Sequence, residues 1–246
     1  MEYRWPTPLK KGIFLKRYQR FLAEIEWEGQ TIMAHVPNTG SLLGLLNSGC
    51  EALIEQKVSV KKKPSAANKL SWSLKALKSQ EGTWVGVDTQ VPHHLLKIAL
   101  TQYPNLIHPH LLDFKTEVPV SSDTRFDGWY RLASGEEGFI EVKNVTLGQM
   151  DPTLKIMVAH FPDAPTSRGL KHLKTLMELK SKGYQCQLIL MAQRSDVNAF
   201  SPSHHIDPQW SAAFYRARHQ GIQVKCWSFS VDHHGVTLRN SDIPIK

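Results

Sequence analysis

The 246-residue sequence predicts two domains: a small β-barrel over residues 1–83, then a mixed β-sheet flanked by helices over residues 84–246. The overall class is α+β passing into α/β. Three observations predict it. The first third breaks into short apolar runs separated by Gly, Pro and Asn. After Trp84 helical and strand-like periods alternate. Between Arg125 and Lys143, two strand-like runs flank a turn and carry an aspartate, a glutamate and a lysine.

In the first domain, Gly12 to Phe21 alternates loosely, with Ile13, Leu15 and Arg17 on one side. Leu22 to Trp27 and Thr31 to Val36 form a hairpin around Glu28-Gly29. Pro37-Asn38-Thr39-Gly40-Ser41 is a loop, because proline cannot donate to a ladder and Asn and Gly favour turns. Leu42 to Leu46 reads as one helical turn. Ala52 to Val60 and Leu70 to Leu77 are two more strands, joined by an exposed basic loop, Lys61-Lys62-Lys63-Pro64-Ser65. About five short strands in about 80 residues point to an OB-like barrel.

In the second domain, Pro92 to Tyr103 has helical spacing through Leu95, Leu96, Ala99 and Leu100 and ends near Pro104. Phe114 to Val120 is strand-like. Thr166 or Ser167 caps a helix running to about Lys182, with Leu170, Leu173, Leu176 and Met177 facing inward and Gly183 at its end. Gln185 to Ala192 is a buried strand, Pro208 to Gln220 a helix stopped by Gly221, and Ile222 to Phe229 a core strand. This order fits a mixed sheet with helices packed on it.

Arg125 to Leu132 and Gly138 to Lys143 are the two runs of the acidic hairpin. Side chains alternate along a strand, so Glu141 and Lys143 share a face opposite Ile140 and Val142. A register with residue 127 opposite 141 brings Asp127 to that face, with its Cβ roughly 5 Å from that of Glu141. Two carboxylates at that spacing can share a divalent metal, and a lysine two residues on suits metal-assisted phosphodiester chemistry. A cross-strand ion pair on a solvated face satisfies the same spacing. Glu117 is a weaker third acid, equally explained as an exposed strand end.

The net charge of +8 is uneven: residues 1–84 hold 13 Lys/Arg against 7 Asp/Glu, and residues 85–246 hold 17 against 15. Polyanions are therefore the expected partners of the first domain. Cys50, Cys186 and Cys226 are odd in number and widely spaced, forming neither a zinc knuckle nor a disulfide framework. The first residues lack the apolar run of a signal peptide, and no apolar stretch approaches the ~18–20 residues that span a bilayer. The expectation is a soluble cytoplasmic protein without a membrane partner. The histidine pairs, His93-His94 among them, lack the companion ligands of a zinc site in sequence.

Several blocks together carry a resemblance: Ala34 to Gly40, Val87-Asp88-Thr89, Arg125-Phe126-Asp127, Glu141 to Leu147 and Phe161 to Leu173. They resemble the sugar fermentation stimulation protein family of bacterial and archaeal DNA-binding proteins. The resemblance implies an N-terminal OB-like domain and a C-terminal PD-(D/E)xK, restriction-endonuclease-like domain. It matches Asp127 to the first motif carboxylate and Glu141 and Lys143 to the E-x-K pair. It also implies a DNA-binding protein regulating sugar (maltose) metabolism. Two positions depart from the family pattern: Ser41 stands where the loop typically carries arginine, and His93 where asparagine is common.

Catalytic expectations therefore fall on Asp127, Glu141 and Lys143, the two carboxylates holding Mg²⁺ or Mn²⁺ in a deoxyribonuclease-type reaction. Phosphate-backbone contacts with DNA are expected from Arg17, Arg20, Lys61, Lys62, Arg125, Arg168 and Lys171. Arg168, Lys171 and His172 lie in the first turns of a capped helix, whose free N–H groups also favour phosphate. Lys174 is read as a solvated residue. Tyr18 or Phe21 could stack on a base, with a core position favoured for Phe21. Asp163 is either a further metal-shell residue or a turn former.

Overall fold

The computed structural model describes residues 1–57 and 70–246. Strands β2 (Lys10–Tyr18), β3 (Leu22–Trp27), β4 (Gln30–His35), β5 (Glu51–Gln56) and β6 (Trp72–Lys78) form the first domain's barrel, following β1 (Glu2–Arg4) in the chain. Their order is β4-β3-β2-β5-β6, and a parallel pairing of Ala34 with Trp72 and His35 with Ser73 closes the ring. Closure leaves those five strands without a free edge, as the OB-like expectation requires. The β3–β4 hairpin turns at Glu28 and Gly29, both at positive φ (49° and 76°), the backbone a two-residue primed turn demands. Phe14, Ala23, Ile25, Ala34 and Leu74 fill the interior. Leu42 to Leu46 is a hydrogen-bonded turn rather than a helical one. Leu42 adopts φ 53°, and with Leu45 it plugs the barrel.

The second domain contains α1 (Val91–Gln102), a single 3-10 turn (Pro104–Leu106), and the strands β8 (Leu111–Ser121), β9 (Thr124–Leu132) and β10 (Glu137–Val145). It continues through β11 (Leu147–Asp151), β12 (Ile156–Phe161), α2 (Ser167–Ser181), β13 (Gln185–Ala192) and β14 (Val197–Pro202). It ends with α3 (Pro208–His219), β15 (Gln223–Val231) and β16 (Gly235–Asn240). Seven strands make the main sheet, in the order β1-β16-β15-β13-β10-β9-β8. Its centre, β10-β13-β15, is parallel and its flanks antiparallel. α1 packs one face through Leu95, Leu96 and Ala99, with Ile140 and Ile189 beneath. α2 and α3 cover the other through Leu173, Leu176, Trp210 and Phe214. β13 is buried from Cys186 to Ala192, apolar but for Gln187, as expected of a strand covered on both faces. A separate three-stranded sheet, β11-β12-β14, has no counterpart in the sequence reading.

The domain limits differ from those expected at residue 83. β1 joins the edge of the second domain's sheet, pairing Glu2 with Thr237 and Arg4 with Gly235. A three-residue strand cannot stand alone, and Gly235 lets it approach closely: a Cβ there would lie 2.3 Å from the Tyr3 carbonyl oxygen. β7 (Trp84–Gly86), in turn, pairs with β6 and extends the barrel sheet beyond residue 83. The junction joins an apolar layer, in which Leu53 and Ala76 of the barrel share one core with Leu9, Val91 and Leu95, to a set of polar ties. Lys75 is ion-paired with Glu55 at 2.9 Å and Asp88 at 2.7 Å, and Asn38 Nδ2 donates to the Val87 carbonyl.

Leu188 sits beside Glu141 in the β10–β13 register and is 1% exposed. Leu188→Ala is expected to cost about 2–5 kcal/mol, read as a lower urea midpoint with unchanged slope. A change below about 1 kcal/mol would show that this layer is not the packed core described.

Candidate functional site

β9 and β10 pair from Glu137 with Arg131 to Ile140 with Gly128, a register whose next step sets Asp127 against Glu141. The ladder stops one residue short of that pair. There the Asp127 carboxylate enters the gap and accepts the Val142 N–H through Oδ2 at 2.6 Å. A side-chain acceptor thus replaces the backbone one, and β9 peels away from β10, opening a cleft at the sheet's end. On the neighbouring strand, the β8–β9 register runs from Thr116 with Gly128 to Val118 with Phe126, which sets Glu117, at φ 56°, opposite Asp127 and brings its carboxylate to the same place.

Glu141 is 3% exposed in the middle of the sheet. Its Oε1 meets Lys143 Nζ in a short ion pair and His172 Nδ1 at 2.6 Å. Its Oε2 is buried with no partner. Burial pushes the Glu141 carboxyl up, but Lys143 and His172 outweigh it and hold the group below the usual range. Asp127 goes the other way: burial first, then the negative charge of Glu141, lifts its carboxyl. His93, on α1, faces it with Nδ1 3.1 Å from Asp127 Oδ1 and 3.5 Å from Glu117 Oε1. Asp127 holds the His93 imidazole above its ordinary range, against the effect of burial.

These groups line a cleft of about 680 Å³ between the two domains. Its far wall is the barrel loop 38–41, fixed from both sides. Arg17 donates to the carbonyls of Arg20, Asn38, Gly40 and Ser41. Asp163, from the loop after β12, accepts the Leu42 N–H at 2.8 Å, and its carbonyl accepts the Ser41 hydroxyl. A Cβ on Gly40 would lie 2.7 Å from the Asp163 carboxylate, so only glycine fits.

The expected residues fall unequally around this cleft. Asp127, Glu141 and Lys143 come together, and Arg20, Arg125 and Arg168 line the walls. Arg17 is spent on loop carbonyls and positions the loop instead of offering a phosphate contact, because its N–H groups are already directed at four backbone oxygens. Lys171 pairs with Asp123 and lines grooves on α2 away from the acidic cleft. Lys61 and Lys62 lie outside the described residues. Phe21 is 49% exposed, not core, and Lys174 is exposed as read. Asp163 proves to be a bond between the domains. His172 is buried against Glu141 rather than offered to phosphate. The signal was present: Gly169, His172, Leu173 and Leu176 share one helical face. His93 gains companions that sequence spacing could not reveal, Glu117 and Asp127 from two strands.

The family profile described as "Sugar fermentation stimulation protein RE domain" matches residues 90–235, and that described as "SfsA N-terminal OB domain" matches residues 15–87. A sugar fermentation stimulation protein homologue from Bdellovibrio bacteriovorus is 35% identical over 99% of both chains. Another, from Geobacter sp. strain M21, is 36% identical over 96% of both. The solved structure "The structure of Pyrococcus Furiosus SfsA in complex with Ca2+" superposes with a TM-score of 0.83 at 21% identity. That match covers 100% of this chain and 98% of the other, and it shows the same fold. Among the described residues, no helix is long and apolar enough to cross a membrane.

With His93 and Asp127 both raised, the folded metal-free protein binds more protons there than the unfolded chain. Its stability therefore falls as pH rises. The His93 contribution is complete below about pH 6.5 and lost as pH climbs through the raised folded value. In EDTA, Tm is expected to drop by roughly 1–4 °C between about pH 6 and 9 beyond the change in His93→Ala. Parallel Tm profiles for the two proteins would contradict the pairing.

Proposed function

We propose that this chain, which belongs to the sugar fermentation stimulation protein family, binds DNA along its phosphate backbone and hydrolyses phosphodiester bonds with a divalent metal ion. The observation that carries the reading is the buried, unpartnered Oε2 of Glu141 beside Asp127. A buried carboxylate oxygen without a partner is costly, and a cation is the partner this donor set fits best. Asp127 and Glu141 supply the hard oxygen ligands that Mg²⁺ or Mn²⁺ accepts. When bound, such an ion polarises a phosphoryl oxygen and lowers the pKa of a bound water.

The chain's own residues do the rest. Lys143 is held beside Glu141 with its ammonium at the cleft wall, where it stabilises charge growing on a phosphate oxygen. His172 and Lys143 together keep Glu141 ionised despite its burial. Asp127 is fixed through the Val142 N–H, so one carboxylate oxygen is oriented before any ligand arrives. Arg20 from the barrel and Arg125 from β9, its guanidinium 3.5 Å from Glu117, both line the cleft, and Arg168 adds a cation at the start of α2. Thr166 caps that helix by accepting the Gly169 N–H at 3.0 Å. Such contacts grip phosphates without reading bases, so weak sequence preference and steep salt dependence follow.

The test uses purified protein with single-stranded, duplex and branched DNA, with Mg²⁺, Mn²⁺ or EDTA. Cleavage is expected with metal and absent in EDTA, and Glu141→Ala or Lys143→Ala is expected to lower it by about 100-fold or more. Absence of cleavage under every metal, or cleavage untouched by Glu141→Ala, would remove the enzymatic step. Binding would then remain, as regulation of sugar metabolism requires. DNA affinity unchanged between about 50 and 200 mM salt would remove the phosphate grip as well.

A further inference from the structure

We infer that His93 and Glu117 complete the metal site and that the imidazole makes it select a first-row transition ion over Mg²⁺ and Ca²⁺. The inference rests on the metal-binding reading of Asp127 and Glu141 and extends it to the identity of the ion. Ligand atoms of His93, Glu117 and Asp127 all lie within 4.8 Å of one another. The separations of 3.1 and 3.5 Å from His93 Nδ1 to the two carboxylates are those of neighbouring ligands around an ion about 2.1–2.5 Å away. A plain hydrogen-bonded pair would also bring His93 near Asp127. However, Nδ1 is buried and makes no hydrogen bond of acceptable direction to either carboxylate, although it lies close to both. Two further unpartnered atoms belong to residues lining the same cleft, Asn144 Nδ2 and Glu141 Oε2, the latter on a side chain 4% exposed.

Three elements deliver these donors: α1 brings His93, and the paired strands β8 and β9 bring Glu117 and Asp127 opposite one another. The set within that reach is therefore one nitrogen with two carboxylates. An all-oxygen set favours Mg²⁺ and Ca²⁺, whereas replacing one oxygen by imidazole favours d-block ions. His93 thus sets the ion preference of this chain.

The test measures Mn²⁺, Mg²⁺ and Ca²⁺ binding to the full-length protein by calorimetry and records pulsed EPR of the Mn²⁺ form. Wild type, His93→Asn, Glu117→Gln and Asp127→Asn are compared, with circular dichroism and Tm to confirm folding. Wild type is expected to bind Mn²⁺ about 10-fold or more tightly than Mg²⁺ and to show ¹⁴N coupling from a bound imidazole. His93→Asn is expected to lose that coupling and most of the Mn²⁺ preference, with Mg²⁺ affinity changed less than about 3-fold. Glu117→Gln is expected to weaken both ions. Mn²⁺ binding that needs Asp127 but shows no nitrogen coupling, or a Mn²⁺/Mg²⁺ ratio unchanged in His93→Asn, overturns the inference and spares the underlying metal site. Binding of no ion, or Mn²⁺ binding indifferent to Asp127→Asn, overturns both.

Discussion

Burial of one carboxylate organises this molecule. Glu141 lies between two covered faces of a sheet, on β10 beside the apolar β13, where an ionised group survives only if paired. Lys143 and His172 satisfy one of its oxygens and leave the other open. The surrounding structure follows from keeping that arrangement. α2 must carry a histidine on its otherwise apolar face, and β9 must part from β10 so that Asp127 can approach. His93 must turn a ring nitrogen towards two acids. A structural salt bridge would close on itself and use every oxygen; this one does not.

The barrel is attached to this centre more firmly than a tethered module would be. Arg17 shapes the loop that faces the acids, Asp163 holds it from the other domain, and the Lys75–Asp88 pair anchors the chain crossing between them. β1 crosses in the opposite direction to complete the seven-stranded sheet. The cleft is consequently a property of both domains, and cations from both line it. Arg20 of the barrel and Arg125 and Arg168 of the second domain are those cations.

Much of this was legible in the sequence. Strand parity alone placed Glu141 with Lys143, and the observed register continues to the expected 127–141 pairing. The hairpin at Glu28-Gly29, the cap at Thr166 and the buried run of β13 are local signals, and local signals carried through. What escaped was non-local or irregular. Nothing in residues 2–4 announces a partner more than 200 positions away. Glu117 reaches the site because β8 pairs with β9 in a register that sets it opposite Asp127, a pairing between strands that no single-strand period displays. Arg17 looked like a free cation because sequence shows charge but not the carbonyls that consume it. His172 was the exception: it followed the apolar period of α2, yet its charge type suggested the solvent face.

The central claim is that the open oxygen of Glu141 and the fixed carboxylate of Asp127 hold a divalent ion. It is tested most directly by anomalous diffraction from crystals grown with Mn²⁺. A manganese peak bonded to both carboxylates, about 2.1–2.3 Å from each, is the result expected. A cleft without manganese in which Glu141 Oε2 is instead hydrogen-bonded, or a peak confined to other acidic groups, would contradict it.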